Sequence, residues 1–137
     1  NRTAVIGYLK SHYRNGIAYF YQSGEDHTDL LAFDAYTQKL VGKCYYERSA
    51  FYPQLLSQLY VLPSHQRRGI ATTLISIANK VAESTVYYCT NPMIRSRYNL
   101  TEEASSLLKS CIKKRIVKKQ QLLHKPVHSP SIRHFDL

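Results

Sequence analysis

One short segment of the chain combines the residue types that bind a phosphate group. Gln66, Arg67 and Arg68 come first, and the small residues Gly69 and Ala71 follow. The arginines bring positive charge, while the small residues leave room for an anion to approach the backbone. The spacing predicts capture of a phosphate or pyrophosphate by a loop other than a Walker loop, because no Gly-Lys-Ser/Thr follows.

This segment lies between a predicted strand and a predicted helix. The strand covers residues 55–62, and Pro63 stops it. From Thr72 to Ala82, apolar residues recur at helical spacing, namely Leu74, Ile75, Ala78, Val81 and Ala82. The first amides of a helix have no intrahelical partner, and the helix dipole favours an anion there. The elements therefore predict a phosphate site at the helix start.

The rest of the chain alternates between extended and helical patterns. Residues 17–21 are typical of a strand, residues 29–36 and 40–46 of an antiparallel hairpin, and residues 85–89 of a strand after the helix. Residues 5–13 fit a short helix or the remnant of one. Together these patterns predict an α/β or α+β domain with a mixed, mostly antiparallel sheet flanked by helices.

Positive charge is concentrated near the C-terminus of a chain of 137 residues with a net charge of +10. Between Glu103 and Asp136 there is no acidic residue, whereas this interval holds Lys109, Lys113, Lys114, Arg115, Lys118, Lys119, Lys125 and Arg133. Such a segment favours an anionic partner, namely nucleic acid, the nucleosome or an acidic chaperone. A solvated helix face and tail is the alternative interpretation.

By length the chain is one domain, for which we expect three parts. These are a core over residues 1–100, a basic C-terminal helix over residues 101–125, and an irregular tail over residues 126–137. Because the chain opens at Asn1 rather than at methionine, we expect that an N-terminal part is missing.

The three cysteines, Cys44, Cys89 and Cys111, fit neither a zinc site nor a disulfide framework. They favour a reducing compartment, and the expected location is nuclear, cytoplasmic or both. Cys89 is predicted to be a core residue and His65 a surface residue. No apolar run approaches the length that crosses a membrane.

The segment around Gly69 resembles motif A of the GNAT acetyltransferase superfamily, with the pattern Gln/Arg-x-x-Gly-x-Gly/Ala. Further landmarks resemble the catalytic subunit of type B histone acetyltransferases: Phe33-Asp-Ala-Tyr36, Leu40-Val-Gly42, Tyr52-Pro53 and Leu56-Ser-Gln-Leu-Tyr-Val-Leu-Pro63. The resemblance covers roughly residues 25–92, about half of the chain.

This resemblance implies the GNAT fold, acetyl-CoA as cosubstrate, and acetyl transfer to a lysine amine of a histone tail, with histone H4 as the expected substrate. Leu59, Tyr60 and Val61 would supply backbone groups to the pantetheine arm and to the acetyl carbonyl. The pyrophosphate would be held by Gln66, Arg67, Arg68, Gly69, Ile70, Ala71 and Thr72. No metal is implied.

The chain departs from the type B pattern at the end of the strand after motif A. Type B enzymes have Glu-Asp-Pro there, and this chain has Thr90, Asn91 and proline. Threonine and an amide accept no proton at neutral pH. The substitutes are Glu25, which aligns with a second acidic residue of the family, and Tyr98, which stands seven residues after Asn91 as in many members of the superfamily.

Two functions from different classes remain open. The first is a lysine acetyltransferase, which the intact motif A favours. The second is a non-catalytic coenzyme-binding module that docks on nucleic acid or chromatin through its basic segment, which the lost carboxylates favour. An acetyltransferase for a small amine, or for a lysine of another protein, is a third possibility. We take the enzyme as the main hypothesis.

Overall fold

The structure is a computed structural model that describes residues 7–49, 51–90 and 102–123. These residues form one seven-stranded sheet, whose spatial order follows the chain. The strands are β1 (Leu9–Arg14), β2 (Ile17–Ser23), β3 (His27–Asp34), β4 (Leu40–Glu47), β5 (Gln54–Val61), β6 (Val86–Cys89) and β7 (Leu122–Leu123). The helices are α1 (Ile70–Val81) and α2 (Glu102–Lys113).

The sheet changes direction at β5. Strands β1 to β5 are antiparallel to their neighbours, whereas β5 with β6 and β6 with β7 are parallel. The chain crosses from β5 to β6 through α1, as parallel neighbours require. The predicted mixed, mostly antiparallel sheet with flanking helices is therefore confirmed.

The core lies between the sheet and the apolar face of α1. Leu74, Ile75 and Ala78 of α1 are fully buried there, and Leu108 and Cys111 of α2 join the same cluster. Each large aliphatic side chain buried in this way contributes about 1.5–3 kcal/mol. This burial fixes α1, and with it the loop that precedes the helix, against the middle of the sheet.

The prediction of a short helix over residues 5–13 was wrong, because residues 9–14 form β1. Apart from Ser11, every residue of β1 is exposed, so the strand has no apolar alternation that could reveal it. Its extended conformation comes from pairing with β2, from Leu9 opposite Tyr21 to Arg14 opposite Ile17.

The prediction of one helix over residues 101–125 was also wrong. Helix α2 ends at Lys113, and Arg115 takes a left-handed conformation with φ of 61° that the helix cannot continue through. A short 3₁₀ helix over Lys119–Gln121 and strand β7 follow. The segment thus completes the sheet beside β6, while the predicted tail over residues 126–137 lies outside the described residues.

Neither helix of the described residues is long and apolar enough to span a bilayer.

Candidate functional site

An opening in the sheet separates β5 from β6. The two strands pair only at Gln54 with Val86 and at Leu55 with Tyr87. Beyond these pairs β6 continues beside β7, and β5 continues beside β4 to Val61. Among the described residues, the second half of β5 therefore has a strand neighbour on one side and an open edge on the other.

The register of β4 and β5 shows which backbone groups point to this open edge. The Leu62 amide donates to the Val41 carbonyl at 2.8 Å, and the pairing continues through Val61 opposite Gly42. Since alternate residues of an antiparallel strand point their backbone groups to opposite sides, those of Leu59 and Val61 face the open edge.

The same alternation corrects one predicted contact. The backbone groups of Tyr60 face β4, opposite Lys43, so Tyr60 cannot offer them to a ligand at the open edge. Its side chain, 50% exposed, lies on the sheet face opposite α1. At the open edge, the Val61 carbonyl already accepts a hydrogen bond from Gln66 Nε2 at 3.1 Å. The amides of Leu59 and Val61 face the same edge and can donate hydrogen bonds to a ligand.

A β-bulge marks the beginning of the open edge. Tyr45 pairs with Gln58 and Tyr46 with Leu56, so Ser57 is the extra residue. The Ser57 hydroxyl donates to the Tyr45 carbonyl at 3.3 Å. A bulge bends its strand and strengthens the local twist, which explains why β5 leaves β6 at this point.

The loop after β5 adopts backbone conformations that suit anion binding. Arg67 has φ of 63° and Gly69 has φ of 78°, both in the left-handed region. That conformation is strained for arginine, and strain of this kind concentrates in ligand-binding loops. Gly69 is also the N-cap of α1 and makes no side-chain cap.

The start of α1 is open to a ligand. A Cβ added at Gly69 would meet no atom within 4 Å, and the first turn of the helix contains no acidic residue. Ala71 and Thr72 are half-buried there, whereas Ile70 is buried in the core and offers only its backbone. The predicted loop residues therefore lie together at one helix N-terminus, and the helix dipole favours a phosphate at that end.

His65 and Asp34 hold this loop against the β3–β4 hairpin. His65 Nε2 lies 2.9 Å from Asp34 Oδ2, and the two side chains are only 16% and 13% exposed. Asp34 Oδ1 accepts the amides of Tyr36 and Thr37, and the bond to His65 is the largest cause that lowers the pKa of Asp34 to about 2. His65 is therefore half-buried rather than a surface residue as predicted.

The predicted proton acceptor Glu25 lies at the far end of the sheet from the loop. Its carbonyl accepts Gln54 Nε2 at 3.3 Å, at the first residue of β5, and Ser84 Oγ at 2.8 Å. The Glu25 side chain is exposed. Its predicted catalytic role stays untested.

The side chain of Thr90 supports β7. Its hydroxyl donates to the Leu123 carbonyl at 3.2 Å, and its amide donates to the same carbonyl at 2.8 Å. Both bonds thus fix the end of the sheet beside β6. The other two predicted catalytic residues, Asn91 and Tyr98, lie outside the described residues.

Asp29, a carboxylate beside the bulge, was not among the predicted site residues. Asp29 lies opposite Tyr45, which in turn lies opposite Gln58, all on the sheet face away from α1. Its Oδ2 accepts the Tyr8 hydroxyl at 2.5 Å, while Oδ1 is buried and has no hydrogen-bond partner among the residues that the structure describes. The Asp29 bond, together with burial as the larger cause, raises the pKa of Tyr8. The alternation of β3 predicts a non-core face for Asp29 but not this burial.

A buried polar network stabilises the strands below the opening. The hydroxyls of Tyr46 and Tyr88 lie 2.7 Å apart, and Asn79 Nδ2 donates to Tyr88 at 3.0 Å. Burial is the main cause that raises the pKa of both tyrosines, so both stay neutral. Cys44 lies beside them, and burial raises the pKa of its thiol to about 12. The described cysteines, including Cys89, are all buried and form no disulfide, and the burial confirms that Cys89 is a core residue.

Comparison with known proteins gives one family. The model of the Acetyltransferase (GNAT) family matches residues 4–93 of the 137-residue chain, which is more than half of it. The match includes the open half of β5, the loop before α1 and α1 itself. No curated protein and no solved structure matches the chain.

Proposed function

The chain belongs to the GNAT acetyltransferase family, and we propose that it transfers the acetyl group of acetyl-CoA to a lysine amine of a protein. Members of this family use acetyl-CoA as the acetyl donor. The proposal assigns that cosubstrate to the open edge of β5 and to the loop at the start of α1.

One observation carries the proposal: an open strand edge leads directly into an anion-binding helix N-terminus. The amides of Leu59 and Val61 face the edge, and the loop around Gly69 follows a few residues later. An extended amide-bearing arm can add to a strand edge, and a pyrophosphate suits a helix N-terminus. Acetyl-CoA has both groups in that order, so the residues present fit the cosubstrate.

The chemistry requires three contributions from the protein. The amine nitrogen attacks the acetyl carbonyl carbon, a C–N bond forms, the thioester C–S bond breaks, and the amine loses a proton. An outward-facing amide of β5, from Leu59 or Val61, stabilises the oxyanion that develops on the carbonyl oxygen. A base must take the proton, and the leaving thiolate must be protonated.

Asp29 is the base that we favour over Glu25. Its buried Oδ1 lacks a partner, whereas the Glu25 side chain is exposed at the end of the sheet. Two strand spacings, about 10 Å, separate β3 from β5, so Asp29 does not contact the amine directly and the proton must pass through intervening groups. Asp29→Asn should lower kcat and leave the KM for acetyl-CoA unchanged, with Glu25→Gln as the matched control. Full activity of Asp29→Asn would eliminate this assignment.

The acceptor that we propose first is a lysine in the tail of histone H4. The support is the resemblance to type B histone acetyltransferases in residues 33–36, 52–53 and 56–63. A nuclear or cytoplasmic location follows from this proposal. A lysine of another protein, or a small amine, is the competing acceptor.

Mass spectrometry of an H4 tail peptide after incubation with the protein and acetyl-CoA tests the proposal. We expect a mass gain of one acetyl group at specific lysines, absent without protein and absent with Gly69→Asp. Parallel incubations with spermidine and with an acidic peptide that contains lysine test the two alternative acceptors, a small amine and a lysine of another protein. Coenzyme binding without transfer to any of the three would contradict the enzymatic proposal.

The second candidate function is a coenzyme-binding module that docks on nucleic acid or an acidic chaperone. Its support is the surface formed by six exposed basic residues: Lys109, Lys113, Lys114, Arg115, Lys118 and Lys119. Among the described residues, none of the six forms an ion pair with a carboxylate. Coenzyme binding without transfer, together with salt-sensitive binding to duplex DNA, would favour this module.

A further inference from the structure

A cleft of about 280 Å³ lies on the side of α1 that faces β2. The turn between β1 and β2 forms one wall and the turn after α2 forms another. The loop and first turn of α1 complete the cleft. It is thus built from three parts of the chain that are far apart in sequence.

Three cations from three different elements line this cleft. Arg14 comes from the end of β1, Arg68 from the loop before α1, and Lys114 from the turn after α2. None of the described residues that line the cleft is a carboxylate. Convergence of like charges is unfavourable unless an anion neutralises them, and such a cleft concentrates anions from solution.

Hydroxyl groups lie between these cations. Tyr19 is buried at 2% exposure, and it lines the cleft together with Thr73. Burial raises the pKa of Tyr19, while Thr73 and the charges of Arg14 and Arg68 act in the opposite direction. Arg14 and Arg68 thus line the same cleft as Tyr19, and Thr72 adds another hydroxyl to the lining.

We propose that this cleft binds a phosphate monoester dianion through Arg14, Arg68 and Lys114, with Tyr19 and Thr72 as neutral hydrogen-bond partners. Guanidinium and ammonium groups form the strongest hydrogen bonds to phosphate oxygens, and several of them around one cleft suit a dianion. Gly69 and Thr72 line this cleft and also belong to the segment that is assigned to the pyrophosphate. The 3′-phosphate of the coenzyme is one source of the dianion, and free phosphate is the other. The first source rests on the proposed function.

Calorimetric titration with coenzyme A and with 3′-dephospho-coenzyme A tests the coenzyme as the source. We expect the wild-type protein to bind the first about tenfold more tightly or better, which corresponds to the loss of one charge-assisted interaction. Arg14→Gln and Lys114→Gln should bring that ratio close to one. Lys113→Gln is the matched control, because Lys113 is exposed, adjacent in sequence and absent from the lining.

A second arm tests free phosphate through the thermal midpoint of the protein in inorganic phosphate, against chloride at equal ionic strength. One outcome is that the wild type binds both coenzymes equally, while phosphate stabilises the wild type but neither Arg14→Gln nor Lys114→Gln. This outcome supports the cleft as a phosphate site, with free phosphate as the source. Equal binding without any phosphate effect that depends on Arg14 or Lys114 overturns the proposal. Failure to bind either coenzyme contradicts the proposed function instead, and the phosphate arm still decides the cleft. Arg14→Lys keeps the charge and checks that a loss is not misfolding.

Discussion

A substitution at Gly69 tests the proposed contact between the pyrophosphate and the loop before α1. The left-handed φ of 78° at Gly69 favours glycine or asparagine, and the space around an added Cβ is open. Gly69→Asp and Gly69→Asn have nearly the same shape and differ in charge. We expect Asp to weaken acetyl-CoA binding by about tenfold or more relative to Asn, because the carboxylate repels the pyrophosphate. Calorimetry on both variants measures this, and equal affinities would contradict the loop assignment.

Asp34 should make the free energy of unfolding depend on pH in the acidic range. Its pKa falls from 3.8 to about 2 on folding, so the ionised form contributes stability above pH 3.8. That contribution is lost as the pH falls toward about 2, because the folded state must then take up a proton that it binds more weakly than the unfolded chain.

The free energy of unfolding, measured by urea titration between pH 5 and pH 2, checks this expectation. The wild type should lose more stability over this range than Asp34→Asn. Asp26→Asn is the control, since Asp26 also lies beside a histidine, at 3.3 Å, but is 62% exposed. A pH dependence in Asp34→Asn as steep as that of the wild type would show that the pair with His65 does not contribute.

At the scale of elements, the short strand β7 depends on one buried amide. Gln121 Nε2 donates to Asn79 Oδ1 at 2.5 Å and to the Val86 carbonyl at 3.0 Å, and its Oε1 accepts the Lys118 amide at 2.8 Å. Gln121→Ala should therefore destabilise the protein by about 1–3 kcal/mol, the cost of buried groups left without partners. Chemical denaturation measures this loss. Gln120→Ala, at an exposed neighbour, should change stability by less than about 0.5 kcal/mol.

The elements that the sequence predicts well are those with a buried face. The α1 helix and strands β2 to β6 follow apolar periodicity or bounded apolar runs, which the core imposes. Strand β1 is exposed almost throughout and carries no such pattern. The end of α2 was missed because Arg115, rather than glycine, takes the left-handed conformation.

The residues of the candidate site likewise differ in whether a local sequence pattern indicates them. The loop around Gly69 has a local sequence pattern, so its residues were predictable one by one. The direction of the Tyr60 backbone depends on the register with β4, and the contact between His65 and Asp34 joins residues 31 apart in sequence. The unpartnered oxygen of Asp29 likewise arises from tertiary packing. None of these has a sequence signal of its own.

At the scale of the whole molecule, the net charge of +10 should attract polyanions without sequence preference. We expect a triple variant of Lys109, Lys113 and Lys118 to glutamine to bind duplex DNA more weakly, with a shallower dependence on salt, and to keep its affinity for acetyl-CoA. The control is the same substitution at three exposed lysines elsewhere, namely Lys10, Lys39 and Lys80. Fluorescence anisotropy over a salt series makes the comparison. Equal losses in both triple variants would show that net charge, rather than the C-terminal segment, determines DNA binding.

The central claim is that acetyl-CoA occupies the open edge of β5 and the start of α1. The most direct measurement is a titration of the ¹⁵N-labelled protein with acetyl-CoA, followed by amide chemical shifts. We predict large shifts at Leu59, Val61 and residues 66–72, with a smaller change at Tyr60, whose amide faces β4. Absence of shifts at saturating acetyl-CoA, or shifts confined to the basic segment after α2, would contradict the claim.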